Sequence, residues 1–176
     1  MAFIVEDGFG YEDATSGASV EFANDYFTDR SVLTWTGSLV SKQSALIKAT
    51  DYVELRFSSR FIGTIEFPLI PQALSFPRLV KNDLSKIVSL GVPVAYQKAI
   101  CEYALRALSG TELLPDPVLG TSGQHLAAES HKTGPIEDSF RYQVKGPGAV
   151  VQLLRPYPSA DMLLKDLVTR ISGIYR

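Results

Sequence analysis

Cysteine is nearly absent from this chain: Cys101 stands alone among 176 residues. One thiol closes no disulfide within the chain and builds no paired-cysteine metal motif, which points to a reducing compartment. Cys101 lies among apolar residues with no cation beside it to lower its pKa, so it reads as a small buried hydrophobe rather than a nucleophile. Histidine is almost as scarce. His125 and His131 flank an expected strand, and two imidazoles without a third ligand make a poor zinc site. There is no HExxH and no phosphate-cradling glycine loop, because Gly8 and Gly10 sit among Glu6, Asp7, Glu12 and Asp13. Those carboxylates do not have EF-hand spacing and read as a solvated acidic turn. Glu137 and Asp138 point to opposite faces of a strand, while Asp51 and Glu54 lie on a helix with no pocket to serve. No nucleophile, base and orienting group come together in the pattern, so no catalytic, cofactor-binding or metal-binding residues are expected. The expectation is a protein that is not an enzyme. Long apolar runs are missing too, which excludes a membrane span. The start MAFIVEDGFGYED has no basic segment and does not read as a secretory signal.

What is present suits a globular protein. The 45% hydrophobic content supplies a core without disulfide or metal. Net charge is −2, unevenly spread. Residues 1–60 carry five Lys/Arg against nine Asp/Glu, and residues 139–176 carry six against two. Opposed ends of this kind suit either a solvated surface or a head-to-tail contact between subunits.

The stretch Val92–Gly110 organises the rest. Lys98, Glu102 and Arg106 recur every fourth residue as one narrow polar strip, and nearly everything else is apolar. A helix greasy on most of its circumference is buried from several sides, so this one is central. Before it, Ser19 caps a helix with the stripe Phe22, Ala23, Tyr26 and Phe27, and Trp35 plugs the following joint. Ser41 opens a second helix with the seam Leu46, Ala49, Val53 and Phe57. Between residues 63 and 91, Pro68, Pro71 and Pro77 forbid a continuous helix, yet Phe67, Leu69, Ile70, Leu74, Phe76, Leu79 and Val80 are costly to leave in water. This segment reads as an ordered loop lying over the bundle or a neighbouring subunit, with a short helix at Asp83–Leu90. Thr133-Gly134-Pro135 joins two extended runs into a hairpin over 126–144. Ser159 caps a last helix to Ile171, followed by a tail over 172–176. The expectation is therefore one domain, 1–176, mainly α. It is a small helical bundle (about 18–62, 92–110 and 159–171) with a long ordered loop, a β-hairpin and extended terminal arms.

In order, the chain carries IVEDG, NDYFTDR, Trp35, ALIKATDYVE, QALSFPR at Gln72–Arg78, AICEYALRALSG, Leu114-Pro115-Asp116, ESHKTGPI and YPSADMLL. This set, spanning almost the whole chain, resembles the small phage proteins labelled DnaT-like single-stranded-DNA-binding, themselves similar to head–tail adaptor (connector) proteins of tailed bacteriophages. Phe76 departs from the tryptophan the resemblance leads one to expect before Pro-Arg, and the spacer before Val92 also differs.

The resemblance implies two functions. As an adaptor, the protein is a structural part of the virion neck, made in the host bacterial cytoplasm. It forms a homododecameric ring docked to the portal protein, joins capsid to tail through the next neck or tail protein (a tail terminator or nozzle), and passes double-stranded DNA without sequence-specific contact. Portal binding then falls to Ile171, Ile174, Tyr175 and Arg176, and contact between subunits to Phe67, Leu69, Ile70, Phe76 and Arg78. The alternative is a single-stranded-DNA-binding accessory of replication, which needs aromatics interleaved with cations. Arg56, Arg60, Phe61, Arg78 and Lys81 are the candidate patch, while a pI near 5.7 weighs against it. The sequence places the adaptor first.

Overall fold

The computed structural model describes residues 2–69, 71–82, 84–114, 128–133, 136–141 and 157–169, the two strands of the 128–141 region by backbone alone. The chain gathers into two compact units, Met1–Leu113 with Pro156–Arg176, and Leu114–Arg155.

In the first unit, α1 (Val20–Thr28) begins where Ser19 Oγ accepts the Phe22 N–H at 3.1 Å, with Glu21 in the first turn. It buries Val20, Ala23, Tyr26 and Phe27. Trp35 closes the turn to α2 (Leu39–Phe57), its indole N–H donating to Asn24 Oδ1 at 2.9 Å and its ring 4.9 Å from that of Phe27. The cap of α2 is Ser38, not Ser41, because the Ser38 hydroxyl takes the Ser41 N–H at 3.1 Å. Helix α3 (Val94–Leu108) buries Tyr96, Ala99, Ile100, Cys101, Tyr103 and Ala104, and packs against α1, α2 and the C-terminal turns. It is the central helix its composition requires. Gly17 lets it approach: a Cβ there would collide with the Tyr96 ring, and with Ile100 Cδ1 at 2.8 Å. Burial pushes the Cys101 thiol up to about 12, which keeps it protonated and inert.

The segment 63–91 is not an irregular loop. It folds into an antiparallel sheet, β1 (Thr64–Ile65), β2 (Arg78–Lys81) and β3 (Ile87–Ser89), in that spatial order. Thr64 pairs with Leu79, and Val80 with Val88. Pro68, Pro71 and Pro77 all fall outside the strands, where a missing N–H costs the ladder nothing. The helix expected at Asp83–Leu90 is also absent. Asn82 Oδ1 instead accepts the N–H groups of Leu84 (3.1 Å) and Lys86 (2.9 Å), a side-chain turn that starts β3. Phe76 packs fully buried between Phe61 (centroids 5.0 Å) and Tyr96 (4.8 Å), tying the sheet segment to α3.

The last helix is shorter than its apolar stripe suggests. Helix α4 (Pro158–Asp161) passes into a 3₁₀ turn at Met162–Leu164, and Val168 then bridges Phe61 as an isolated extended pair. Ile62 N–H donates to Leu167 O at 2.9 Å and Thr169 N–H to Arg60 O at 2.8 Å. Backbone bonds to the end of α2 win over continuing the helix, and Ala160, Leu164 and Leu167 are still buried. At the other terminus Val5 bridges Ser16. The acidic turn there is not wholly solvated: Glu6 is 1% exposed, its carboxylate accepting the N–H groups of Gly8, Gly10 and Tyr11 at 2.8–2.9 Å.

The second unit contains the hairpin β4 (Ala128–Thr133) and β5 (Ile136–Arg141), with Ser130 opposite Ser139. The mainly helical expectation thus holds in part: the described residues form four helices, a small three-stranded sheet and a hairpin. None of these helices is long and apolar enough to cross a membrane.

Candidate functional site

The cations of the first unit divide into those already engaged and those that are not. Arg78 faces inward at 9% exposure. It donates to the carbonyls of Gly63 (2.7 Å), Ile62 (2.8 Å), Phe61 (3.3 Å) and Ser75 (3.4 Å), and burial lowers its pKa. Arg30 lies on the Tyr26 ring at 3.7 Å and donates to Tyr26 O. Arg106 bonds Glu102 O at 2.6 Å and Ser159 Oγ at 2.6 Å.

Arg56 is held most firmly. Its two terminal nitrogens reach the Asp161 carboxylate at 2.9 and 2.8 Å, the parallel fork that suits guanidinium and carboxylate. Its Nη1 also donates to the hydroxyls of Tyr103 (3.2 Å) and Tyr52 (3.3 Å). The Tyr103 hydroxyl in turn donates to Asp161, and burial followed by that carboxylate raises its pKa strongly. The result is a polar latch between α2, α3 and α4 under a canopy of tyrosine rings.

Beside the latch opens a pocket of about 320 Å³, lined by Arg56, Phe57, Arg60, Asp161, Leu164, Lys165, Val168 and Thr169. Arg60 lies over the Phe57 ring at 5.6 Å, and its Nε is buried without a hydrogen-bond partner among the described residues. Lys165 is exposed, and neither it nor Arg60 forms an ion pair among the described residues. The chemistry on offer is anion binding, with a guanidinium, an ammonium and a hydroxyl around one opening.

The five-residue patch from the sequence does not assemble as such. Arg56 and Arg60 do meet at the pocket, whereas Phe61 is buried, Arg78 points inside and Lys81 stands exposed at the end of β2. Of the residues suggested for contact between subunits, Leu69 is 97% exposed and Phe67 is half-buried beside Gly10. Phe76 and Arg78 require correction: both are packing groups within the subunit and offer a neighbour little surface. Ile70 and the tail residues Ile171, Ile174, Tyr175 and Arg176 lie outside the described residues, as does His125. His131 falls in β4 opposite Asp138. Among the described residues no three His, Cys, Asp or Glu side chains gather as a metal site would require.

Sequence reasoning passed over Lys165, Thr169 and the latch. Nothing local joins Arg56 to Asp161, two positions that are 105 residues apart.

The fold and the pocket define a class: a small module of four helices with a three-stranded side sheet, a two-stranded hairpin in a second unit and an opening lined by cations. Residues 1–176 match the family model described as "Putative DnaT-like ssDNA binding protein", and the chain belongs to that family. Comparison with curated proteins and with solved structures gave no match. The family description agrees with the second of the two functions implied by the sequence resemblance. It lends no support to the adaptor role that the sequence placed first.

Proposed function

We propose that this protein binds single-stranded DNA, the activity named in the description of its family. The whole-chain match to that family carries the reading. Two features support it. Residues 139–176 hold six Lys/Arg against two Asp/Glu, and the pocket at the end of α2 keeps Arg60 and Lys165 clear of carboxylate partners among the described residues. The contact assigned to the first unit is with the phosphate backbone rather than stacked bases. The exposed aromatic rings among its described residues, Phe9 and Tyr11, stand beside Asp7, Glu12 and Asp13, where a polyanion is repelled. A labelled oligothymidylate titrated at 50 and 200 mM salt tests the reading by fluorescence anisotropy. Affinity should fall with salt, log K against log salt having a slope of about −0.7 per phosphate contact. Absence of binding at the lower salt overturns it.

A specific observation favours a second reading, the head–tail adaptor. Ile65, Leu69, Leu84, Ile87 and Val88 are 42%, 97%, 76%, 66% and 38% exposed on and around the small sheet, an apolar surface that suits a protein neighbour. In this reading the neighbours are sister subunits of a neck ring, the portal and the next tail component. Mass spectrometry of purified virions decides it: a stoichiometric component supports the adaptor, and absence from particles removes it.

A further inference from the structure

We infer that the pocket between the end of α2 and the turn after α4 is a phosphate subsite, with Arg60 and Lys165 as its cationic walls and the Thr169 hydroxyl as a third donor. This rests on the single-strand reading above and gives it an address; the same chemistry would take a free phosphate.

Charge comes first. The pocket is lined by Arg56, Arg60 and Lys165 against one carboxylate, Asp161. The fork between Arg56 and Asp161 neutralises that pair, and Tyr103 donates to the same carboxylate. Two positive charges are left facing the opening. The second observation is independent of charge. Arg60 Nε is buried and has no hydrogen-bond partner among the described residues. A buried N–H without an acceptor carries an uncompensated desolvation cost, and such groups are rare enough in folded proteins to need a reason. A turn of the Arg60 side chain towards an anion in the pocket would give that N–H its acceptor. Guanidinium meets a phosphate through parallel N–H···O bonds, whereas the flexible ammonium of Lys165 acts as a point charge beside it.

The third observation is preorganisation. Thr169 N–H donates to Arg60 O at 2.8 Å, Phe61 bridges Val168, and Ile62 N–H donates to Leu167 O at 2.9 Å. The backbones carrying Arg60 and Thr169 are therefore clamped side by side before any ligand arrives. The Phe57 ring beneath the Arg60 guanidinium, at 5.6 Å, gives that side chain a floor. A volume of about 320 Å³ is ample for one tetrahedral anion.

The test compares the full-length protein with the pair Arg60→Gln, Lys165→Gln. A control pair, Lys86→Gln and Lys98→Gln, loses the same net charge away from the pocket. Labelled oligothymidylate is titrated by anisotropy at two salt concentrations, and inorganic phosphate is titrated by amide chemical shifts. The pocket pair should bind the oligonucleotide about 10-fold more weakly at low salt, and its salt slope should be shallower by about 1.4, two contacts' worth. The control pair should change much less, and phosphate should move the Thr169 amide in the wild type alone. Equal oligonucleotide binding by the pocket pair and the wild type overturns the subsite and leaves the single-strand reading standing. A Thr169 response to phosphate with no oligonucleotide binding supports the subsite and removes that reading. Failure of both ligands to bind overturns both. If the pair melts early, Lys165→Gln alone, at an exposed position, repeats the comparison.

Discussion

Arg78 shows how a single cation organises the edge of a fold. Its guanidinium bonds the carbonyls of Phe61, Ile62 and Gly63, closing the corner where α2 gives way to the sheet. Arg78→Ala leaves those acceptors without their donor and should cost about 2–4 kcal/mol in urea unfolding. Arg78→Lys should recover little of it, because one ammonium cannot span three divergent carbonyls. The buried phenols make a second prediction at this scale. Burial, ahead of neighbouring carboxylates, pushes Tyr26 up to about 12 and raises Tyr52, Tyr96 and Tyr103 above their ordinary value of 10.0. Above pH 10 the unfolded chain releases phenolic protons that the folded chain keeps. The stability these groups contribute is thus complete below pH 10 and declines as pH rises from about 10 to 12 and beyond. Absorbance at 295 nm should show these tyrosines ionising together with the loss of helical circular dichroism, not before it.

Among the elements, α4 depends most on a partner. Four residues cannot sustain a helix in water, so its position must come from contacts. Asp161→Asn removes the carboxylate from the Arg56 fork, whose side chains are 14% and 23% exposed. The cost should be about 2 kcal/mol, discounted from a fully buried pair for that partial exposure. Tyr103→Phe, which spares the fork, should cost less; thermal unfolding of the two variants orders them. Helices α1 and α3 were legible because each carries both its apolar stripe and its end signals, Ser19 for α1 and Gly110 for α3, within one short window. The segment 63–91 was not, since its strands have two, four and three residues, too few to set up an alternating pattern. The apolar stripe from Ala160 to Ile171 is truly there in the sequence. Periodicity reports which residues want burial, but it does not know that Thr169 N–H and Ile62 N–H will find distant carbonyls.

At the scale of the whole molecule, the bare apolar side chains around the small sheet should govern association. Ile87 and Leu84 are 66% and 76% exposed, and β3 is an edge strand. The pair Ile87→Lys, Leu84→Lys should leave the melting temperature nearly unchanged and shift the mass distribution towards monomer in mass photometry. An unchanged distribution would show that this surface does not drive assembly. The pocket follows a different logic, as it is assembled from the end of α2 and the turn after α4, regions that meet only in the folded chain.

The amino-acid order alone determined the central helix, the caps and stripe of α1, the plug at Trp35 and the β4–β5 hairpin, because neighbours within one or two turns encode each of them. Tertiary structure alone decided that Arg78 and Phe76 serve the interior, that Arg56 is bound to Asp161, and that Arg60 and Lys165 line one pocket with no ion-pair partner among the described residues. The reason is one of range. A charge displays its sign in the sequence, but whether it is neutralised depends on partners that only folding brings within hydrogen-bond distance.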